Sequence, residues 1–166
     1  MSAQTSPLSL AVSDMPFLHR ATLALSLAVR AYRTPVCFGT NAVVEQADGT
    51  VILVRHRYMP GLCFPGGGVD AGEPPVQAVQ RELKEELGVT RVESVEFLGL
   101  YTRKIWWTTN VITLFRVRGA VVNFKPSLEI SEIVAVDPHS PPAGTSPGVR
   151  RRLAELTGAA PGGPYW

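Results

Sequence analysis

Cysteine is scarce in this chain. Cys37 and Cys63 are the two present among 166 residues, and they stand far apart with no CxxC pair and no cysteine–histidine clustering. That spacing excludes a CxxC-type zinc site and a disulfide-stapled secreted scaffold. Reduced thiols in a cytoplasmic protein are expected, with a single inter-strand disulfide as the alternative. A charge excess of one sign is also missing: 16 Lys and Arg against 14 Asp and Glu give a formal net charge of +2. A disordered polyelectrolyte is excluded, and so small an excess is weak support for a nucleic-acid partner, so none is expected. The apolar stretch ATLALSLAV at 21–29 lies between Arg20 and Arg30. It falls well short of the roughly 20 residues that span a bilayer and lacks the basic start and early position of a secretory signal. No membrane association is expected. Internal repeats and a second core pattern are absent too.

What is present is one domain's worth of chain, 45% hydrophobic and 18% charged, long enough to bury a real core. Residues 1 to about 13 are small and polar, a tail. An amphipathic helix follows, capped by Asp14 with Pro16 in its first turn, and Leu18, Ala21, Leu25, Val29 and Tyr32 would line its buried stripe. Strands are expected at VCFGTNAVVEQ and VILVRH around an ADGT turn, at VESVEFLGLYTR, at NVITLFRVRG and at EIVAV. A short extended piece at 62–64 precedes a helix from about Pro74 to Leu87, and VRRRLAELT forms a closing helix. Strands before and after one central helix, with helices at both ends, predict an α/β sandwich around a mixed sheet. The expected organisation is an N-terminal tail and helix at 1–35, a main folded domain at 36–158 and a C-terminal tail at 159–166.

The segment FPGGGVDAGEPPVQAVQRELKEELGV at 64–89 raises a question of charge. Like charges at helical spacings of three and four cost roughly 0.2–0.5 kcal/mol per pair, yet Glu82, Glu85 and Glu86 sit together. On a helical wheel Val76, Val79, Leu83 and Leu87 form the buried face, with Glu82 and Glu86 on its flank and Glu85 about 60–100° further round. A solvated acidic face paired with Arg81 and Lys84 is the ordinary explanation. The preceding glycine run, and an acidic flank adjoining the apolar stripe, favour another. Carboxylates converging on one point suit a hard divalent cation, and Mg²⁺ takes one or two carboxylates together with substrate phosphates. The residues alone therefore point to metal-assisted chemistry on a phosphorylated substrate.

From Gly67 the chain reads G-x5-Glu73-x7-Arg81-Glu82-Leu83-Lys84-Glu85-Glu86-Leu87-Gly88-Val89. This resembles the Nudix box, G-x5-E-x7-R-E-U-x-E-E-x-G-U with U aliphatic, at every specified position. The similarity extends over about residues 36–137. The resemblance implies a Nudix-type α/β/α sandwich around a mixed sheet, here with an extra N-terminal helix. It implies Mg²⁺- or Mn²⁺-dependent hydrolysis of a nucleoside diphosphate linked to another moiety, a small-molecule substrate. Glu82, Glu85 and Glu86 would be metal ligands with the Gly67 carbonyl, Arg81 would orient the glutamates, Glu73 would tie down the loop, and Gly66, Gly67 and Gly68 would lie against substrate. A further glutamate outside the box serves many members as ligand or base. Glu129 and Glu132 are the candidates, and Glu132 is favoured because it enters a strand and is held more firmly.

Outside the box, Arg55 and Arg57 would either face solvent or contact substrate phosphates, and His56 is read as structural. Tyr101, Trp106 and Trp107 suit core packing or an oligomer interface, with base stacking as the alternative; a homodimer is left open. Arg150–Arg152 are read as a solvated face. The alternatives to the diphosphate substrate are a nucleoside triphosphate and, in a different class, a non-catalytic nucleotide sensor. A sensor would ordinarily have lost box glutamates, and none is lost here.

Overall fold

The computed structural model describes residues 16–166; the expected Asp14 cap and polar tail lie outside the described residues. The chain divides into two compact units, one ending at Val36 and one beginning at Cys37. The first contains α1, Phe17–Arg33. Pro16 leads in, its carbonyl accepting from the Arg20 amide at 3.1 Å, and Thr34 closes the helix on the Arg30 carbonyl at 2.9 Å. The buried stripe expected on α1 is not found. None of its residues is buried, and Leu18 is 74% and Tyr32 89% exposed. An amphipathic stripe needs an opposing surface, and the described residues of this unit supply none. Among the described residues, no helix is long and apolar enough to cross a membrane.

The remaining elements are β1 Val36–Glu45, β2 Val51–His56, β3 Leu62–Cys63, β4 Gly66–Gly68, α2 Pro75–Leu87, β5 Ser94–Ile105, β6 Thr108–Arg118, β7 Ile130–Val136 and α3 Pro147–Leu156. The strands form one seven-stranded mixed sheet in the order β3-β2-β1-β6-β5, with β4 paired to β1 and β7 to β2. Strand alternation explains the layers. Ala42, Val44, Ile52, Val54, Phe115 and Val117 face one way and pack with Val79, Leu83 and Leu87 of α2. Val43, Val51, Leu53, Ile112 and Leu114 face the other way and pack with Val149 and Leu153 of α3. The two cores lie on opposite faces of the sheet. Val76 departs from the expected helix face: in the first turn of α2 it stays 40% exposed, while Ala78 is fully buried.

The end of the chain is tied into the second core. Thr102 donates its amide to the Pro164 carbonyl and accepts from the Trp166 amide, both at 3.0 Å. Trp166 is 7% exposed and meets Phe64 and Tyr101 edge-on at 6.2 and 5.8 Å. Gly148 at the start of α3 makes room, since a Cβ there would sit 2.4 Å from the indole nitrogen. Arg152, expected on a solvated face, is instead 1% exposed. Its guanidinium lies 4.0 Å over the Tyr101 ring and donates to Glu155 at 2.6 Å and to the Tyr165 carbonyl at 3.1 Å. A planar cation whose terminal nitrogens reach carbonyls and a carboxylate and whose plane lies on a π-face tolerates that burial, although Nε has no partner among the described residues. Tyr101 therefore belongs to the core, whereas Trp106 and Trp107 stand 80% and 76% exposed at the β5–β6 turn, contrary to core packing. Trp166→Ala should lower unfolding free energy by about 3–5 kcal/mol, the usual range for a buried large aromatic. Urea denaturation measures it, and an unchanged midpoint would contradict the packed tail.

Candidate active site

The glycine run is the second edge partner of β1: Gly39, Thr40 and Asn41 pair with Gly68, Gly67 and Gly66. Gly66 has φ 139°, and a Cβ on it would lie 2.1 Å from the Thr40 carbonyl oxygen. On Gly67 a Cβ would lie 2.6 Å from the Glu82 carboxylate. Glycine is required at Gly66 by its positive φ and the close approach of β1, and at Gly67 by contact with the Glu82 carboxylate. The Gly67 carbonyl oxygen sits over Gly39, 3.2 Å from where a Cβ would be.

Two kinds of donor hold the acidic flank of α2. The Gly66 amide donates to Glu86 Oε2 at 2.7 Å. Arg81 donates Nε and Nη2 to the two oxygens of Glu73 at 3.0 and 2.9 Å, Nη1 to Glu82 at 2.7 Å and Nη2 to the Gly68 carbonyl at 3.0 Å. Glu85 lies 3.6 Å from the same guanidinium. Glu73 also accepts from the Asp70 amide at 3.1 Å, closing the turn between β4 and α2. The Arg81 guanidinium holds the Glu73 carboxyl below its ordinary range. The α2 terminus is set by Gly88 at φ 64°, with the Gly88 and Val89 amides returning to Lys84 and Leu83.

The glutamates differ in electrostatic state. Glu86 is 6% exposed. Burial pushes its carboxyl up to about 8, the Gly66 amide opposes, and the charges of Glu82, Glu129 and Glu85 push it further. Glu82 is raised by burial against the pull of Arg81. Across from α2 lie His56, at the end of β2, and Glu129, just before β7; single ligand atoms of His56, Glu86 and Glu129 lie within 4.8 Å of one another. Tyr58 donates its hydroxyl to Glu129 at 2.8 Å, and Ser127 Oγ accepts from the Glu129 and Ile130 amides at 3.2 and 3.0 Å.

Glu132 is not brought to this cluster. It pairs across the strands with Arg55, Nε to Oε1 at 2.5 Å, with both side chains about half exposed (44% and 50%). A register shift between Arg55 and His56 places His56 opposite Ile130 and skips a residue of β7. The bulge thus turns the chain so that the loop carboxylate, not the strand carboxylate, reaches Glu86. Neither Arg55 nor Arg57 is among the residues lining the adjoining cleft; Arg57 donates to the Ser127 carbonyl at 2.9 Å and braces the Glu129 loop. The cleft, of about 480 Å³, is lined by Gly66–Gly68, His56, Tyr58, Arg103 and Trp166 among others. That volume suits a small ligand. Glu129, less favoured than Glu132 on the sequence, and His56, expected to be structural, meet at the cluster, and Arg103, which no motif singles out, lines the cleft. The strand pattern VILVRH does place His56 on the buried alternation, which was the available signal.

The family profile of the NUDIX domain matches residues 37–157. The chain belongs to the Nudix family. Among sequence relatives, the 8-oxo-dGTP diphosphatase of Haemophilus influenzae is 42% identical over 78 residues, 44% of this chain and 54% of that protein. An RNA pyrophosphohydrolase of Xanthomonas campestris pv. campestris is 44% identical over 57 residues, 34% of this chain and 27% of that protein. The matched region thus spans about half and about a quarter of these curated relatives. Among solved structures, the MutT NUDIX hydrolase of Burkholderia pseudomallei aligns with TM-score 0.65 at 21% identity over 73% of this chain and 98% of that one. A UDP-X diphosphatase aligns with TM-score 0.58 at 18% identity over 88% and 81%. At these identities the structural likeness establishes the Nudix fold.

The residues fit the divalent cation that the family implies. The α2 donors are carboxylate oxygens, which hard cations require. Glu86 in particular is a buried carboxyl whose ionised form has one amide donor and several like-charged neighbours, so a cation would relieve it. In chelator-treated protein, the raised Glu86 has a definite consequence. Its neutral form stabilises the fold fully below its unfolded value near 4.5, and that contribution is lost as pH rises through about 8. The melting temperature without metal should therefore fall between pH 5 and pH 8.5, and Glu86→Gln should flatten the fall. An equal slope in both proteins would contradict the buried carboxyl.

Proposed function

We propose that this Nudix chain hydrolyses the diphosphate bond of a nucleoside diphosphate linked to another moiety, using Mg²⁺ or Mn²⁺. The observation that carries the reading is Glu86, buried on α2 beside Glu82, with ligand atoms of Glu129 and His56 within 4.8 Å, where His56 and the Gly66 amide partner of Glu86 also line a ligand-sized cleft. Glu82, Glu85 and Glu86 would hold the cation. When bound, it would neutralise the diphosphate and lower the pKa of a coordinated water.

The chain's own residues have separable duties in this reading. Arg81 fixes the rotamers of Glu82 and Glu73 through three hydrogen bonds and ties them to the Gly68 carbonyl through a fourth, so the carboxylates are positioned before substrate arrives. Glu73 locks the turn that presents Gly66–Gly68, whose lack of side chains lets phosphate approach the backbone. Arg103 on the cleft wall supplies the positive charge first assigned to Arg55 and Arg57. Glu129, rather than Glu132, is the acid outside the box that takes the proton of the attacking water. It is within reach of Glu86, and its carboxylate is oriented by the Tyr58 hydroxyl. Both cysteines are free, which suits a reducing cytoplasm.

A nucleoside triphosphate is the second reading, favoured by the name of the 42%-identical relative, an 8-oxo-dGTP diphosphatase. A phosphatase-coupled screen of nucleotide sugars, nucleoside triphosphates and dinucleotides with Mg²⁺ and Mn²⁺ separates the two. Turnover of none of them would support a sensor. On whichever substrate turns over, Glu129→Gln should lower kcat by about a hundredfold or more, within general acid–base effects. Glu132→Gln, which breaks a half-exposed surface pair, should change kcat by less than about tenfold. The opposite ranking would return the role to Glu132.

A further inference from the structure

His56 stands out as a buried polar side chain without an assigned duty. It is 6% exposed, and its Nδ1, out of contact with solvent, has no hydrogen-bond partner among the described residues. A buried polar atom of this kind costs about 1–3 kcal/mol unless something satisfies it. Its ring forms part of the cleft wall, 5.2 Å from the Tyr58 ring. A ring nitrogen lies within 4.8 Å of oxygens of Glu86 and Glu129. Ligands of one ion at about 2.1 Å stand about 3 Å apart when adjacent and about 4.2 Å apart when opposite. The three donors are thus at, or a small side-chain rotation from, the spacing of a shared coordination sphere.

We propose that His56, Glu86 and one oxygen of Glu129 form a mixed nitrogen–oxygen cation site in which the His56 imidazole is a direct ligand, so that the site selects Mn²⁺ and heavier first-row ions over Mg²⁺, while the second Glu129 oxygen stays available for the proton of the attacking water. The inference rests on the hydrolase reading only for the presence of a cation at Glu86. Mg²⁺ takes oxygen ligands and gains little from an imidazole, whereas first-row transition ions accept nitrogen readily. Two carboxylates within ligand distance of one imidazole nitrogen account for the position of His56 better than packing does, because packing alone leaves a buried ring nitrogen unsatisfied. Glu82 and Glu85 lie outside this group of three; each has one oxygen towards Arg81, and their second oxygens could hold a second ion or substrate-bound metal.

The test is spectroscopic and needs no turnover. Full-length protein stripped with a chelator is loaded with one equivalent of Mn²⁺ and its electron spin-echo modulation recorded, with protein grown on ¹⁵N-histidine as the isotope control. The expected result is a ¹⁴N coupling that changes to ¹⁵N on labelling and is missing in His56→Gln. In parallel, His56→Gln should weaken Mn²⁺ binding by at least tenfold, since losing even a supporting partner of a metal ligand costs about 10–100-fold. Mg²⁺ binding, measured by competition, should change by less than about threefold. Mn²⁺ bound with no histidine coupling, or equal Mn²⁺ affinity in both proteins, would overturn the inference while leaving oxygen-ligated hydrolysis intact. No Mn²⁺ bound, even with the fold intact, would overturn both. If His56→Gln does not fold, the isotope experiment on wild type still decides the matter, with His19→Gln/His139→Gln excluding the other two histidines.

Discussion

Burial of the Glu86 carboxyl on α2 beside the glycine strand β4 is the constraint on which the site depends. A carboxylate that is 6% exposed and surrounded by other acids is unfavourable by itself. The surrounding structure is arranged to hold it there. Gly66 and Gly67 of β4 must be glycine because the backbone there passes within contact of β1 and of Glu82, and that approach lets the Gly66 amide meet Glu86. The position of α2 is set in turn by Val79, Leu83 and Leu87 against the sheet, so the acidic flank cannot rotate away from the cleft without exposing the core.

Arg81 complements this arrangement from the opposite flank. One guanidinium bridges the turn acid Glu73, the ligand candidate Glu82 and the Gly68 carbonyl, coupling loop and helix as one rigid piece. Lysine could not reproduce it, because the planar fork serves several acceptors at once. The effect is an asymmetric set of acids: Glu73 held ionised by Arg81, Glu82 and Glu86 displaced upward by burial. Carboxylates with separated proton affinities are what a site needs if some are to bind a cation and another is to accept a proton.

Much of this was legible because it is local. The box from Gly67 to Val89 places its charges by helical spacing, and the β-rich runs at VCFGTNAVVEQ and VILVRH mark the strands without tertiary knowledge. What escaped depends on distant pairing. Glu132 looked better held than Glu129, but the bulge at Arg55/His56 spends Glu132 on Arg55 and carries Glu129 to the cluster. Arg152 read as a surface charge because its acceptors come from residues 163 and 165 and its π-face from Tyr101. The α1 stripe had the right period and no partner surface among the described residues of its unit. Periodicity reports which face could be buried; only the rest of the fold decides whether it is.

The central claim is that a cation takes the place of the proton on Glu86. Calorimetric titration of Mg²⁺ or Mn²⁺ in buffers of differing ionisation enthalpy counts the protons released on binding. With the Glu86 carboxyl raised to about 8, binding at pH 6.5 should release close to one proton per chain, and the count should decline toward zero above pH 9. Binding at pH 6.5 with no proton release would contradict the account.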